Sequence, residues 1–310
     1  MPDARKQVAI IVVNYNSAPF VDAFCASLKT IEYADWRFIA VDSGSTDGSM
    51  SRIESAFGGC AHFSPVRCEE NIGFAAGANL PFDRGLLDGI DAVLFLNNDT
   101  ILTPDFLTRM VEAADDKTLV VPKILYEADH RLISTHAGGF DWRLGVFRDT
   151  FAGQLDGPAT SVRRDGMKTA SFCCALVPVQ AFWDTGRLDE RFFMYYEETD
   201  WIQRAQGHGY RLRYEPSAVI YHRESGSSGG GWMTPFKQYY ATRNRLYLVR
   251  KHTSSGATYA TFTAYFWLTR IASAARFIAR REWRLLRAMA MGTLDYYRGR
   301  MGRTKQVRDL

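Results

Sequence analysis

The apolar run Ala92-Val93-Leu94-Phe95-Leu96 stops abruptly on Asn97-Asn98-Asp99, and a second polar group, Glu197-Glu198-Thr199-Asp200, stands far downstream. A buried strand that ends on amides and a carboxylate presents oxygen ligands at a sheet edge. Such an edge suits a hard divalent cation, Mg²⁺ or Mn²⁺, shared with a phosphate. The second cluster supplies a carboxylate able to take a proton from a substrate. Together they point to group transfer from a metal-bound diphosphate. Read alone, the acidic cluster equally suits a helix N-terminus, where carboxylates are favoured.

Those residues need a frame, and the first hundred positions supply one. Val8–Val13, Phe38–Val41, His62–Val66 and Ala92–Leu96 read as strands; Pro19–Ile31, Asp47–Phe57 and Ala75–Leu87 read as helices between them. Alternation of fully apolar strands with amphipathic helices predicts an α/β fold with a parallel sheet covered on both faces. Ligands of such sheets lie beyond the carboxyl ends of the strands. Here those ends are Asn14-Tyr15-Asn16, Asp42-Ser43-Gly44-Ser45, Cys68-Glu69-Glu70-Asn71 and Asn97-Asn98-Asp99. Converging on one edge, they form the expected site.

The middle of the chain is less regular. Val120–Leu125, Gly138–Phe147 and Thr169–Val177 read as strands, Thr199–Gln206 as a short helix, and Arg211–Tyr214 and Ala218–Tyr221 as short strands leading to His222. Ser225–Gly231 (SGSSGGG) is a loop that serves equally as an inert linker or as a lid ordering on substrate.

Charge divides the chain. Residues 232–310 hold 16 Lys/Arg against 3 Asp/Glu, a net of +13, whereas the rest holds 22 against 31, a net of −9. The expected units are therefore a catalytic body, 1–231, and a basic helical region, 232–310. A basic tail on an acidic body implies an anionic partner, a membrane surface or nucleic acid. In Leu268–Met289, Ile271, Ile278, Leu285 and Met289 share one helical face and Arg276, Arg280, Arg284 and Arg287 another. Its apolar runs are too short to span a bilayer, but the pattern fits the membrane interface. The alternative is a helix packed on its own domain, or in a dimer, with a solvated arginine face. No recognised nucleic-acid module surrounds those arginines, so no nucleic-acid partner is expected. The five cysteines show neither metal-ligand spacing nor a disulfide framework, and no secretory signal precedes them. A reduced, cytoplasmic setting is expected, with Cys173-Cys174 as buried packing.

Taken in order, the segments IVVNYN (11–16), VDSGSTDGS (41–49), NIGFAAGAN (71–79), LFLNNDT (94–100), GRLDERFFMYYEETD (186–200) and YEPSAVIYH (214–222) resemble glycosyltransferase family 2, in particular its rhamnosyltransferase-like branch. YATRNR (240–245) fits the tail of that family as well. The resemblance covers residues 8–250 and implies a GT-A fold, a nucleotide-sugar donor, a divalent cation and inversion at the anomeric carbon. By motif position it implies Glu198 as general base, with Glu197 as the other candidate, and Asp99 and His222 around the metal. It places Asp42 at the nucleotide base, with Asn14, Asn16, Ser43, Asn97 and Asn98 along the donor edge. Asn71, Gly73 and Asn79 would line the nucleotide pocket, and Asp189 and Glu190 would meet donor or acceptor hydroxyls. Where relatives often carry Asp-x-Asp this chain has Asn97 first, leaving Asp99 as sole carboxylate, and Phe172 stands where many have glycine, which would reshape the sugar pocket.

The resulting expectation is a cytoplasmic enzyme at the inner face of the cell membrane, moving rhamnose from dTDP-rhamnose to a lipid-linked or surface-polysaccharide acceptor. UDP-galactofuranose or UDP-N-acetylhexosamine as donor, or a homologue that binds glycan or nucleotide without turnover, are the alternatives.

Overall fold

The computed structural model describes residues 6–134, 137–223 and 233–304. The expected strand–helix alternation is present: β1 (Val8–Asn14), α1 (Val21–Leu28), β2 (Trp36–Ser43), α2 (Ser49–Phe57), β3 (Phe63–Cys68), α3 (Gly73–Asp83) and β4 (Ala92–Leu96). Strands β1 to β4 pair in parallel in the order β3-β2-β1-β4. Two elements that the sequence reading did not contain follow at once, β5 (Thr100–Leu102) and α4 (Phe106–Ala113). Then come β6 (Thr118–Tyr126), β7 (Ala137–Asp141), β8 (Val146–Asp149), β9 (Arg164–Asp165), β10 (Thr169–Ala170), β11 (Cys174–Pro178), α5 (Val179–Thr185), α6 (Glu197–Gly207) and β12 (Arg211–His222).

The sheet continues from β4 through β11, β6 and β12 to β5. Strand β11 runs antiparallel to both β4 and β6, and β5 runs antiparallel to β12 at the far edge. Every residue of β4 is buried, as a strand covered on both faces requires. On one face Ile11, Val41 and Phe95 pack with Trp201 of α6; on the other Ile10, Phe38 and Leu94 pack with Phe106 of α4. Alternate residues of one strand thus serve two cores.

Three strand readings need correction. Gly138–Phe147 is not one strand but the hairpin β7–β8, because Asp141 Oδ1 accepts the backbone N–H groups of Arg143 and Leu144 and turns the chain. Thr169–Val177 splits, β10 joining the hairpin's small sheet and β11 the large one. The two short strands before His222 are one, β12, with a register irregularity between Glu215 and Val219.

The tail is helical: α7 (Pro235–His252), α8 (Gly256–Ala279) and α9 (Trp283–Tyr297). Leu268–Met289 is therefore not one helix; α8 ends at Ala279 and Arg281 takes a left-handed φ of 58° before α9 begins. Helix α9 packs tightly on α7, where a Cβ on Gly292 would stand 2.5 Å from the Tyr239 carbonyl oxygen. No helix among the described residues is long and apolar enough to cross a membrane. The expected boundary at 231/232 and the loop 225–231 lie outside the described residues.

Candidate active site

The polar strand ends do converge, and they are stitched to one another. Asn14, at the end of β1, donates from Nδ2 to Asp42 Oδ1 at 2.8 Å and to the Ser45 and Ser49 hydroxyls, each at 3.0 Å. Its Oδ1 accepts from Ser17 and, at 2.7 Å, from Asn98 Nδ2. Asn98 also donates to Ser17 Oγ at 2.8 Å. Asp42 Oδ2 accepts the Ser45 N–H at 3.3 Å, closing the turn after β2. Asn14, Asp42 and Asn98 are all buried, so this network sets the shape of the edge from beneath. Ser17, Ser45 and Ser49 are members the sequence reading missed; a serine in a polar turn carries no signal of which amide it will meet.

The neighbouring strand end is fastened in the same way. Ser43 Oγ accepts the Ile72 N–H at 2.9 Å, while Asn71 Oδ1 accepts the Gly73 N–H at 2.9 Å and the Ser43 hydroxyl at 3.3 Å. Asn16 adopts a left-handed φ of 49°, and its Oδ1 accepts the Thr46 N–H at 2.9 Å. Asn97 is half-exposed at the rim, with its backbone N–H given to the Cys173 carbonyl at 2.8 Å.

Asp99 and His222 meet where β12 lies along β5. His222 Nε2 is 3.2 Å from Asp99 Oδ1, an ion-pair distance, and that buried oxygen makes no other polar contact among the described residues. Burial alone would lower the His222 pKa, but the Cys173 sulphur and the Asp99 carboxylate outweigh it and hold the imidazole well above its ordinary value. The Asp99 oxygen suits a divalent cation, and His222 could join it only by giving up the proton that the carboxylate now favours. Among the described residues no cluster of three or more His, Cys, Asp or Glu side chains is placed to complete such a site.

The acidic motif reaches this edge through Phe193. Gly73, at φ 81°, abuts the Phe193 carbonyl so closely that a Cβ would stand 2.4 Å from its oxygen, and that oxygen accepts the Phe74 N–H at 3.0 Å. Gly73 is thus required for packing against the motif's own segment. The segment is strained: Phe193, Tyr195 and Tyr196 all have positive φ, at 66°, 71° and 75°. It is held by α7. Asn244 Nδ2 donates to the carbonyls of Phe192, Met194 and Tyr195 at 2.9, 2.8 and 3.0 Å, and the buried Arg243 donates to those of Arg191 and Phe192.

Glu197 and Glu198 then open α6. Glu197 is buried, and one of its carboxyl oxygens has no hydrogen-bond partner among the described residues. Burial, and secondarily the neighbouring Glu198, hold its pKa well above the usual carboxylate range. Glu198, next in the chain, is half-buried. Asp200 is wholly buried and ties α6 to α7, at 3.0 Å from Arg204 Nε, 2.6 Å from Lys251 Nζ and 2.7 Å from His252 Nε2.

Other expected residues are engaged elsewhere. Asn79 binds backbone and side chain of the 188–190 turn, through Leu188 and Glu190. Asp189 is held by Arg191, Tyr247 and Lys251; although burial pulls the other way, these partners keep its carboxyl well below the usual range. A sugar hydroxyl would have to compete with all three. The Phe172 ring lies in the core, stacked 5.0 Å from Phe95 and edge-on 6.0 Å from Trp201, so it fills space beneath the edge.

Comparison with known proteins agrees with this geometry. The profile of Glycosyl transferase family 2 matches residues 9–186, more than half of the chain. An N-acetylglucosaminyl-diphospho-decaprenol L-rhamnosyltransferase of Mycobacterium tuberculosis, present in strains CDC 1551 / Oshkosh and ATCC 25618 / H37Rv, is 27% identical over 241 residues, covering 71% of this chain and 77% of that protein. Among solved structures, the mannosyltransferase PcManGT from Pyrobaculum calidifontis, in complex with GDP-Man and Mn²⁺, superposes with a TM-score of 0.57 at 13% identity, covering 96% of this chain and 88% of that one. GalNAc-T7 with UDP, GalNAc and Mn²⁺ gives 0.57 at 10% identity, covering 85% of this chain and 55% of that one. With a GT-A fold, a family profile over more than half of the chain and a rhamnosyltransferase relative over most of its length, the chain belongs to glycosyl transferase family 2 and is a glycosyltransferase.

Proposed function

We propose that this enzyme transfers rhamnose from dTDP-rhamnose, with inversion, to a lipid-linked glycan of surface-polysaccharide synthesis at the inner face of the cell membrane. The observation that carries the reading is the pairing of a polar strand-end edge, from Asn14 to Asn98, with a buried Glu197 beside a more exposed Glu198. The relative's rhamnosyl transfer to a diphospho-decaprenol-linked sugar supports the donor and the acceptor class.

In this reading Glu198 accepts the proton of the attacking hydroxyl as the new glycosidic bond forms and the nucleoside diphosphate departs. Asn14, Asp42, Ser43, Asn71 and Asn98 shape the edge that receives the nucleotide, and Asn16 and Asn97 stand at its rim. Asp99 and His222 are the protein groups that would hold Mg²⁺ or Mn²⁺, with diphosphate oxygens and water in the remaining positions. That cation would neutralise charge building on the leaving diphosphate. The Mn²⁺ in both fold neighbours supports its use here.

The division into a catalytic body and a basic helical region also belongs to this proposal, with α8 and α9 as the part that meets the membrane. Trp267, Leu268, Ile271, Ile278 and Trp283 are exposed there, among the exposed arginines 276, 280, 284 and 287.

A thermal-shift panel of nucleotide sugars with Mn²⁺ tests the donor, because a true donor stabilises the folded state by mass action. dTDP-rhamnose should give the largest rise in Tm. A larger rise with UDP-galactofuranose or UDP-N-acetylhexosamine would replace it as donor.

A further inference from the structure

Helices α7 and α8 bring two arginines together close to the acidic motif. Arg245 is buried on α7; its Nη2 donates to the Leu144 carbonyl, but its Nε has no acceptor. Arg270, half-buried on α8, has Nη1 at 3.4 Å from Thr242 Oγ1, and its Nε likewise has no acceptor. The two guanidinium carbons stand 5.8 and 5.4 Å from the centroid of one ring, Phe266. Among the described residues, no ion pair to a carboxylate compensates either of them.

Two cations withdrawn from water without a counter-ion are costly, and an anion of two or more charges removes that cost. Burial, and then repulsion from Arg245, push the Arg270 pKa down to about 10; burial also lowers that of Arg245. Tyr196, which precedes Glu197, packs on the same apolar cluster as Phe266, the ring that both arginines flank, so the pair stands near the acidic motif. Arg270 also marks a boundary on α8. Phe262 and Phe266 before it are buried, whereas Trp267, Leu268 and Ile271 around it are exposed. A doubly charged head and an apolar tail would each find a matching surface there.

We propose that Arg245 and Arg270 form the subsite for the diphosphate of an amphiphilic acceptor, whose lipid lies along the exposed apolar face of α8. This rests on the reading above that the acceptor is lipid-linked. It adds the residues that recognise the charged linker, as distinct from the sugar that is extended.

The test compares two soluble acceptors carrying the same sugar, one joined to a short alkyl chain through a diphosphate and one through a neutral ether. Wild-type enzyme should prefer the diphosphate acceptor in kcat/KM. In Arg270→Gln that preference should fall about tenfold or more, the scale of a lost charge-assisted contact, through KM for the acceptor and with the KM for donor holding. Arg270→Lys should recover part of the preference. Arg245→Gln should act in the same direction if it folds, and Arg270→Gln, at the more open position, decides the matter if it does not. Equal losses on both acceptors would overturn the proposal in favour of a structural role. Loss of flotation on vesicles containing phosphatidylglycerol, with the acceptor preference intact, would overturn it in favour of membrane phosphates. Wild-type enzyme inert on both acceptors would refute the acceptor class itself, a separate failure.

Discussion

The side-chain amide of Asn244 donates to the carbonyl oxygen of Tyr195 at 3.0 Å, so a residue of the tail helix α7 fixes the backbone two positions before Glu197. The acidic motif is aimed from outside the sheet. Asn244→Ala would leave several carbonyls of the segment 192–195 without their donor, at a cost of about 1–3 kcal/mol for buried groups. We expect kcat to fall by about tenfold or more, with a much smaller change in donor KM, since the donor edge is built by other residues. A lowered Tm with kcat intact would show that the clamp serves folding alone.

Glu198→Gln should preserve the fold and donor affinity while lowering kcat by about 10²–10⁴-fold, the usual contribution of a positioned base. Steady-state kinetics with the purified variant decide it. If Glu197→Gln shows that loss and Glu198→Gln does not, the assignment belongs to Glu197.

Asp99→Ala should abolish turnover and the part of nucleotide affinity that depends on Mn²⁺, because the buried carboxylate oxygen beside His222 is removed. Titration calorimetry with nucleoside diphosphate, with and without EDTA, measures this. Turnover of the wild type that survives chelator would rule out a metal role.

Two carboxyls should shape stability against pH in opposite directions. Asp200 has its pKa lowered in the folded state: burial opposes this, but His252, Arg204 and Lys251 prevail. Its contribution is therefore full above the unfolded carboxylate value, about 3.9, and is lost as pH falls below it. Glu197 is raised, so folding is penalised as pH climbs above the unfolded value of about 4.3. Glu197→Gln should remove that penalty, leaving the variant at least as stable as wild type at pH 7–8 and the difference shrinking toward pH 4. Denaturant melts across that range would expose the error if the variant were less stable at pH 8.

Replacing Arg276, Arg280, Arg284 and Arg287 with Gln should release the protein from anionic vesicles. Each basic residue near such a surface contributes about 1 kcal/mol, an attraction that salt weakens. Flotation should be lost for the variant, and for wild type at about 1 M salt. Undiminished flotation of the variant would leave α8 and α9 as packing or dimerisation elements.

The parallel half of the sheet was legible because Val8–Val13 and Ala92–Leu96 are uninterrupted apolar runs closed by polar residues, a pattern that only a doubly covered strand needs. The strand ends also announced a polar edge, since Asn14 bonds Asp42 and Asn98 there, and Asn71 bonds the neighbouring Ser43. What periodicity could not reveal was pairing. Thr169–Val177 reads as one apolar stretch, yet its ends join different sheets, and direction within a sheet leaves no trace in composition. Asn79 and Asp189 looked like ligand contacts for a similar reason: a polar residue in a motif does not disclose whether its partner is substrate or protein. Leu268–Met289 has a helical period that survives the break at Arg281, because α8 and α9 are each helical on either side of it.

Strand β11 begins, at Cys174, level with the last residue of β4, so the chain crosses the sheet away from the donor edge and must come back before Glu197 can serve it. The return runs through residues 186–196, which form neither helix nor strand. Phe74 and Asn79 hold part of it from upstream, but the carbonyls of Arg191, Phe192, Met194 and Tyr195 are held by Asn244 and Arg243, downstream of every strand described here. During synthesis, a ribosome that has delivered His222 has delivered the whole sheet and the upstream contacts of Phe74 and Asn79, but not the donors on α7. The sheet can assemble on its own schedule, while the segment before Glu197 gains its clamp from Asn244 only when α7 emerges. Completion of the sheet and completion of the clamp on the acidic motif are thus separate events in the life of the nascent chain, and the second waits on the tail.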